Sequence, residues 1–227
     1  MRIAVADFMG VSKASAYRII KRVSTTIASL GPRYIRVYES DIEMERDAEQ
    51  FYAIVRFPRV IGAIDGTVIK IDSPGSEYAD IFRFQKGFFA LNVQTVSDTN
   101  LKIRDIVVGW PGATHDQTIF NNSNLKQEFE NGTFGRFLVV GDSGTAAENL
   151  YNASIIRTPN VVETQYGVWK RTFPILRFGM CLNLDRVVAI IVTTAVLHNI
   201  AIDMKNPCPN EEADFVVEDD EEEPDNR

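Results

Sequence analysis

Residues 59–72 read RVIGAIDGTVIKID, and the fold turns on how the Asp65-Gly66 step between the two apolar runs is taken. Read locally, an Asp-Gly pair between β-branched runs is a hairpin turn, which makes VIGAID and TVIKID two short strands. Downstream, FFALNVQTVSD and LKIRDIVVG are two more β-rich runs, with Thr99-Asn100 after Asp98 as the turn between them. Leu125 to Glu130 then reads as helix and FLVVGD as a buried strand. Antiparallel strands followed by alternating helix and strand make a mixed α/β fold.

Around Glu163 the apolar residues recur at helical spacing. Val162, Tyr166, Trp169 and Phe173 recur as a buried stripe, and Glu163, Gly167 and Lys170 share a different face. Leu184 to Met204 reads as a buried helix. Its apolar run, residues 187–197, is too short to cross a bilayer, and no cleavable signal peptide opens the sequence. His198, without an acid or nucleophile beside it in sequence, reads as a packed residue.

Residues 5–30 read as a helix-turn-helix-like segment: a short helix, a Gly10-Val11 turn, a Ser12 cap and a second helix with Ala16, Ile19, Ile20 and Val23 inward. In that layout Lys13, Ser15, Tyr17, Arg18 and Lys21 lie near the exposed start of a DNA-recognition helix. The same residues serve equally well as the basic surface of a helical hairpin. The segment from Glu39 to Gln50 reads as an acidic helical connector, and the core starts near Pro58. The expected division is therefore a helical segment over 1–36, a connector over 37–57, an α/β domain over 58–205 and a disordered acidic tail over 206–227.

A chain of 227 residues with 45% hydrophobic content suits one sizeable domain plus an appendage. The formal charge of −7 is unevenly spread: residues 210–227 hold ten acids and one base, whereas the first 36 hold seven bases and one acid. This asymmetry points to a basic, nucleic-acid-facing start and a solvated tail. Cys181 and Cys208 have no CxxC spacing and only two histidines accompany them, which argues against a zinc site or a disulfide framework and fits a reducing compartment.

Three acids stand at the edges of distinctive motifs: Asp65 in GAIDGT, Asp142 in VVGDSG and Glu163 in NVVETQYGVWKR. Taken singly, Asp65 belongs to a turn, Asp142 caps a strand, and Glu163 is solvated. A fourth acid, Asp116 in THDQTIF, suits the first turn of a short helix capped by Thr114. Taken together, three carboxylates from separate segments are what a hard, oxygen-preferring cation needs when two ions work on a phosphodiester.

The motifs RVIGAIDGT, KGFFALNVQTVSD, WPGATHDQTIFNNS, LVVGDSG, VVETQYGVWKRTFPIL and the late VLHNIA stand in series along the chain. From about Val5 to about Ala201 they make the sequence resemble the Harbinger transposase family and its transposase-derived nucleases. The resemblance implies a ribonuclease-H-like mixed sheet flanked by helices. Within it, Asp65, Asp142 and Glu163 would be a catalytic triad holding Mg or Mn. Asp116 and Lys170 would be accessory, Asp116 behind the carboxylates and Lys170, with Arg171, on phosphate. The implied activity is endonucleolytic attack of water on DNA, releasing a 3′ hydroxyl. A Myb-like partner protein, a homo-oligomer and a nuclear location, with some protein in the cytoplasm, follow from the family alone. The sequence also departs from the family: only 21 residues separate Asp142 from Glu163, Val68 stands where relatives often have His, and Thr164-Gln165 stands where they tend to be basic. Those departures suit an internally shortened copy, and leave open a DNA-binding protein that lost catalysis or a degenerate copy.

Overall fold

A computed structural model describes residues 10–75, 79–84, 87–141 and 159–205. The element order is α1 (Lys13–Ala28), α2 (Gly31–Tyr34), α3 (Asp41–Val55), β1 (Val60–Ile71), a short 3-10 turn (Ala79–Phe82), β2 (Phe89–Ser97), β3 (Ile103–Pro111), α4 (Asp116–Asn121), α5 (Asn124–Glu130), β4 (Leu138–Gly141), α6 (Pro159–Thr172), α7 (Ile175–Phe178) and α8 (Leu184–Asp203). The strands form one sheet in the order β3-β2-β1-β4. β1 runs antiparallel to β2 and parallel to β4, and β2 runs antiparallel to β3. A mixed four-stranded sheet flanked by helices is consistent with the ribonuclease-H-like expectation.

Asp65-Gly66 is not a turn. β1 passes straight through it as one twelve-residue strand, with Asp65 opposite Thr95 and Gly66 opposite Gln94. The local signal failed because the apolar runs on both sides pair with the same partner strand, which offers more ladder bonds than a reversal at Asp65 would. The expected turn after Asp98 is present. The Asp98 Oδ1 accepts from the backbone N–H groups of Asn100 (2.8 Å) and Lys102 (3.0 Å), and Leu101 takes a left-handed φ of 65°.

Side-chain alternation along the strands separates two apolar clusters. On one face, Ala63, Ile69, Ile71, Leu91 and Val93 pack against Val162, Tyr166 and Trp169 of α6 and Val187, Ile191 and Ala195 of α8. On the other, Ile61 and Val96 pack against Tyr38, Met44 and Ala48 and against Leu125, Phe134 and Phe137. α8 is longer than its apolar run, with 20 residues at mean hydropathy 1.6, long and apolar enough to cross a membrane; half of that window is buried inside the fold, as befits a core helix. His198 on it is buried, with Nε2 at 2.8 Å from the Leu101 carbonyl.

Four further expectations change. On α1 the inward face is Ala16, Ile20 and Ser24, at intervals of four, while Ile19 and Val23 are about half exposed. The helix starts at Lys13 under the Ser12 cap, and that phase turns Ile19 and Val23 away from α8. α3 is no mere connector, since Met44, Asp47, Ala48 and Phe51 are buried along it. β4 is only half-buried, with Leu138 exposed. The N-cap of α4 is His115, without a side-chain cap, rather than Thr114.

Candidate active site on strand β1

Asp65 sits midway along β1, half-buried, and its Oδ1 accepts from the Gly66 N–H at 2.7 Å. Register and alternation put its side chain on the face that carries Ala63, Thr67 and Thr95, the face that α6 covers. α6 is fixed there by two polar contacts. The buried Tyr166 hydroxyl donates to the Asp65 carbonyl at 2.5 Å and accepts from Thr95 Oγ1 at 3.0 Å. One turn later, the Lys170 ammonium donates to Thr67 Oγ1 (2.6 Å) and the Val68 carbonyl (3.3 Å). Burial raises the Tyr166 phenol above its ordinary value, so it stays a donor, and burial, then nearby Arg177, holds the Lys170 amine below the usual lysine range.

Glu163 is exposed on α6, three residues before Tyr166 and seven before Lys170, so it shares the helix stripe that meets β1. Gln165 is fully buried under β2, where its Oε1 accepts from Ser97 at 3.1 Å and lies 3.2 Å from Thr95 Oγ1. Its amide nitrogen has no partner among the described residues.

Asp116 lies across β1 from that face. Its Oδ1 accepts from Asn92 Nδ2 at 2.8 Å, and its carbonyl accepts from Gln94 Nε2 at 2.9 Å. A Cβ on Gly66 would stand 2.1 Å from Asp116 Oδ1, so Gly66 is the residue that lets this carboxylate lie against the strand. The Asn92/Gln94 clamp was missed in sequence; two amides at alternate positions of an apolar strand were its signal.

Asp142 lies outside the described residues, as do the acidic tail and residues 1–9, the expected first helix of the helix-turn-helix-like segment. β4 is described up to Gly141, which pairs in parallel with Ile64. On α1, Lys13, Tyr17, Arg18 and Lys21 are exposed and Ser15 is half-buried, its N–H bonded to the Ser12 hydroxyl at 3.1 Å. The Arg186 guanidinium lies 3.8 Å from the centre of the Tyr17 ring. Among the described residues no three or more His, Cys, Asp or Glu side chains cluster as a metal site. The two described motif acids, Asp65 and Glu163, offer only oxygen donors, which suits a hard cation and not zinc or copper.

The family model described as DDE superfamily endonuclease matches residues 64–199, more than half of the chain. The chain belongs to this family. Among curated proteins this endonuclease-family chain is 24% identical over 217 residues to "Putative nuclease HARBI1" of Homo sapiens and of Bos taurus, covering 88% of the chain and 62% of those proteins. It is 22% identical over 233 residues to "Protein ALP1-like" of Arabidopsis thaliana, covering 89% of the chain and 57% of that protein. The matches make it a Harbinger-derived member, and it spans less than two thirds of the length of these relatives. No solved structure matches it.

Proposed function

We propose that the chain carries the site of a transposase-derived, divalent-metal-dependent DNA endonuclease in which Asp65, Asp142 and Glu163 act together. The observation that supports this reading is that β4 and α6 both meet the stretch of β1 that carries Asp65. β4 pairs with β1 so that Gly141, its last described residue, stands at the register of Ile64, one residue before Asp65. α6 meanwhile crosses the same stretch of β1 through Tyr166 and Lys170.

In this reading the three carboxylates would hold Mg or Mn, which supplies charge neutralisation for the attacking and leaving oxygens of a phosphodiester. The chain's own residues do the positioning. Tyr166 fixes the height of α6 on β1 and so the height of Glu163. Lys170 holds the next turn down, and its ammonium adds positive potential beside the substrate's phosphates. Water attacks phosphorus, the P–O bond to the 3′ oxygen breaks, and a 3′ hydroxyl and a 5′ phosphate result. The exposed cations of α1, Lys13, Arg18 and Lys21 with Ser15 and Tyr17 beside them, supply a duplex-facing surface. A Myb-like partner, a homo-oligomer and a nuclear location belong to the same proposal and rest on the Harbinger lineage.

Nicking of supercoiled plasmid by the full chain in manganese tests it. Loss of nicking in Asp65→Asn and Glu163→Gln, with unchanged melting temperature, is expected. Nicking that survives either substitution sinks the triad, and DNA binding without nicking by the parent selects a DNA-binding protein that has lost catalysis.

A further inference from the structure

The C-terminal end of β1 carries an aromatic and cationic surface that the triad does not use. Lys70 Nζ lies 4.8 Å from the centre of the Phe88 ring, and Phe88 in turn stacks on Phe84 at 5.3 Å. The exposed Arg83 lies 5.3 Å from the Phe89 ring. The chain then returns to this spot from α7: Met180 N–H donates to the Lys70 carbonyl at 3.1 Å, and a Cβ on Gly179 would stand 3.2 Å from Lys70 Cβ. That close approach sets Phe178 alongside the strand, 64% exposed, with the exposed Arg177 before it. Among the described residues the acids nearby are Asp72 and Asp80, the latter 3.4 Å from Arg83. Arg177 is also close enough to Lys170 to disfavour its charge, so the cations run on towards the stretch of β1 that carries Asp65. Lys70 is five residues beyond Asp65, about 17 Å along a strand, and the odd separation turns its side chain to the opposite face of β1.

One exposed ring and half-buried rings interleaved with cations match a strand whose bases are unstacked: the rings take base faces and the cations take phosphates. Duplex DNA, with its bases already stacked, offers nothing to Phe178. We propose that Lys70, Arg83, Phe84, Phe88, Arg177 and Phe178 form a platform for single-stranded DNA at the C-terminal end of β1, beyond the cleavage site, a reading that rests on the endonuclease proposal for its substrate but not for its test.

Binding of the full chain to a labelled DNA strand, and to a duplex of the same length, is measured by fluorescence anisotropy in chelator, where no cleavage occurs. Phe178→Ala and Lys70→Gln are each expected to weaken strand binding on the order of tenfold, as the loss of one base-stacking or phosphate contact does. Lys70→Gln should also flatten the slope of log affinity against log salt by about 0.7. Ile42→Ala, which truncates an apolar residue 81% exposed on α3, should change nothing. Both side chains are surface-exposed, so melting temperatures should match the parent's. Parent-like strand binding in both variants, or equal losses on strand and duplex, overturns the platform. The two proposals fail separately: absent nicking with the variant losses intact removes the nuclease and leaves the platform, and nicking with parent-like binding in both variants does the reverse.

Discussion

At Gly66 the site is a matter of tenths of an ångström. The residue is in ordinary extended strand, so its glycine is required by space and not by backbone conformation. Gly66→Ala drives a methyl group into Asp116 and should cost about 1–3 kcal/mol by overpacking. Combined with Asp116→Ala, the loss should be smaller than the sum of the two singles, because the clash is then gone; additive losses in chemical denaturation would mean that the carboxylate is not what the methyl meets. Tyr166→Phe removes the donor to the Asp65 carbonyl and should cost about 1 kcal/mol, read the same way. This is also where sequence reading was weakest. Asp-Gly was correctly seen as special but for the wrong reason, since turn propensity reports on four neighbouring residues and the true constraint, Asp116, lies 50 positions away. The buried stripe of α6, by contrast, follows from local period and was legible, with Val162, Tyr166 and Trp169 all buried.

Between elements, α3 is locked to the β2–β3 hairpin by one buried guanidinium. Arg104 binds Glu43 at 2.8 Å, Asp47 at 3.1 Å and Asp98 at 2.8 Å, with Asp47 and Asp98 fully buried, and stacks over Tyr38 at 4.7 Å. Arg104→Met should destabilise by about 3–5 kcal/mol, because it leaves buried carboxylates without a counter-charge. A midpoint within 1 kcal/mol of the parent's, by order of magnitude, would deny the network that role. Its neighbour Asp105 has no such partner among the described residues: desolvation, then Glu128, raises its carboxyl to about 6, against one backbone N–H bond from Ile106 that lowers it. A carboxyl raised in the folded state favours folding only while protonated, so its penalty appears as pH climbs from about 4 through 6. Asp105→Asn should therefore stabilise by about 2 kcal/mol at pH 7.5 and by little at pH 4; an equal shift at both pH values would exclude titration as the cause. None of this pairing was legible, because Asp98 announced only a turn and Asp47 lies 57 positions from Arg104.

Across the whole molecule the question is whether the basic N-terminal helix is a separate module or part of the core. Its sequence looks modular: polar, cationic and followed by an acidic helix. Its packing does not, since Ala16, Ile20 and Ser24 face α8, and Thr193 of α8 donates to the Ser24 carbonyl at 2.7 Å. α8 is itself the core helix, tied at its far end by Asn199 to both backbone groups of Ile103 (2.9 and 2.7 Å) and to the Tyr34 carbonyl at 2.8 Å. A force that loosens α1 must therefore act on the element that α2, α6 and β3 also touch. Thermal unfolding should follow one transition, with helical circular dichroism and the fluorescence of the buried Trp169 giving coincident midpoints. Thr193→Val, which keeps the volume and deletes the hydroxyl, should lower both midpoints together by the equivalent of about 1 kcal/mol. If only the helical signal moved, α1 would be unzipping on its own, and the cations it carries would reach DNA on a mobile arm instead of a fixed face.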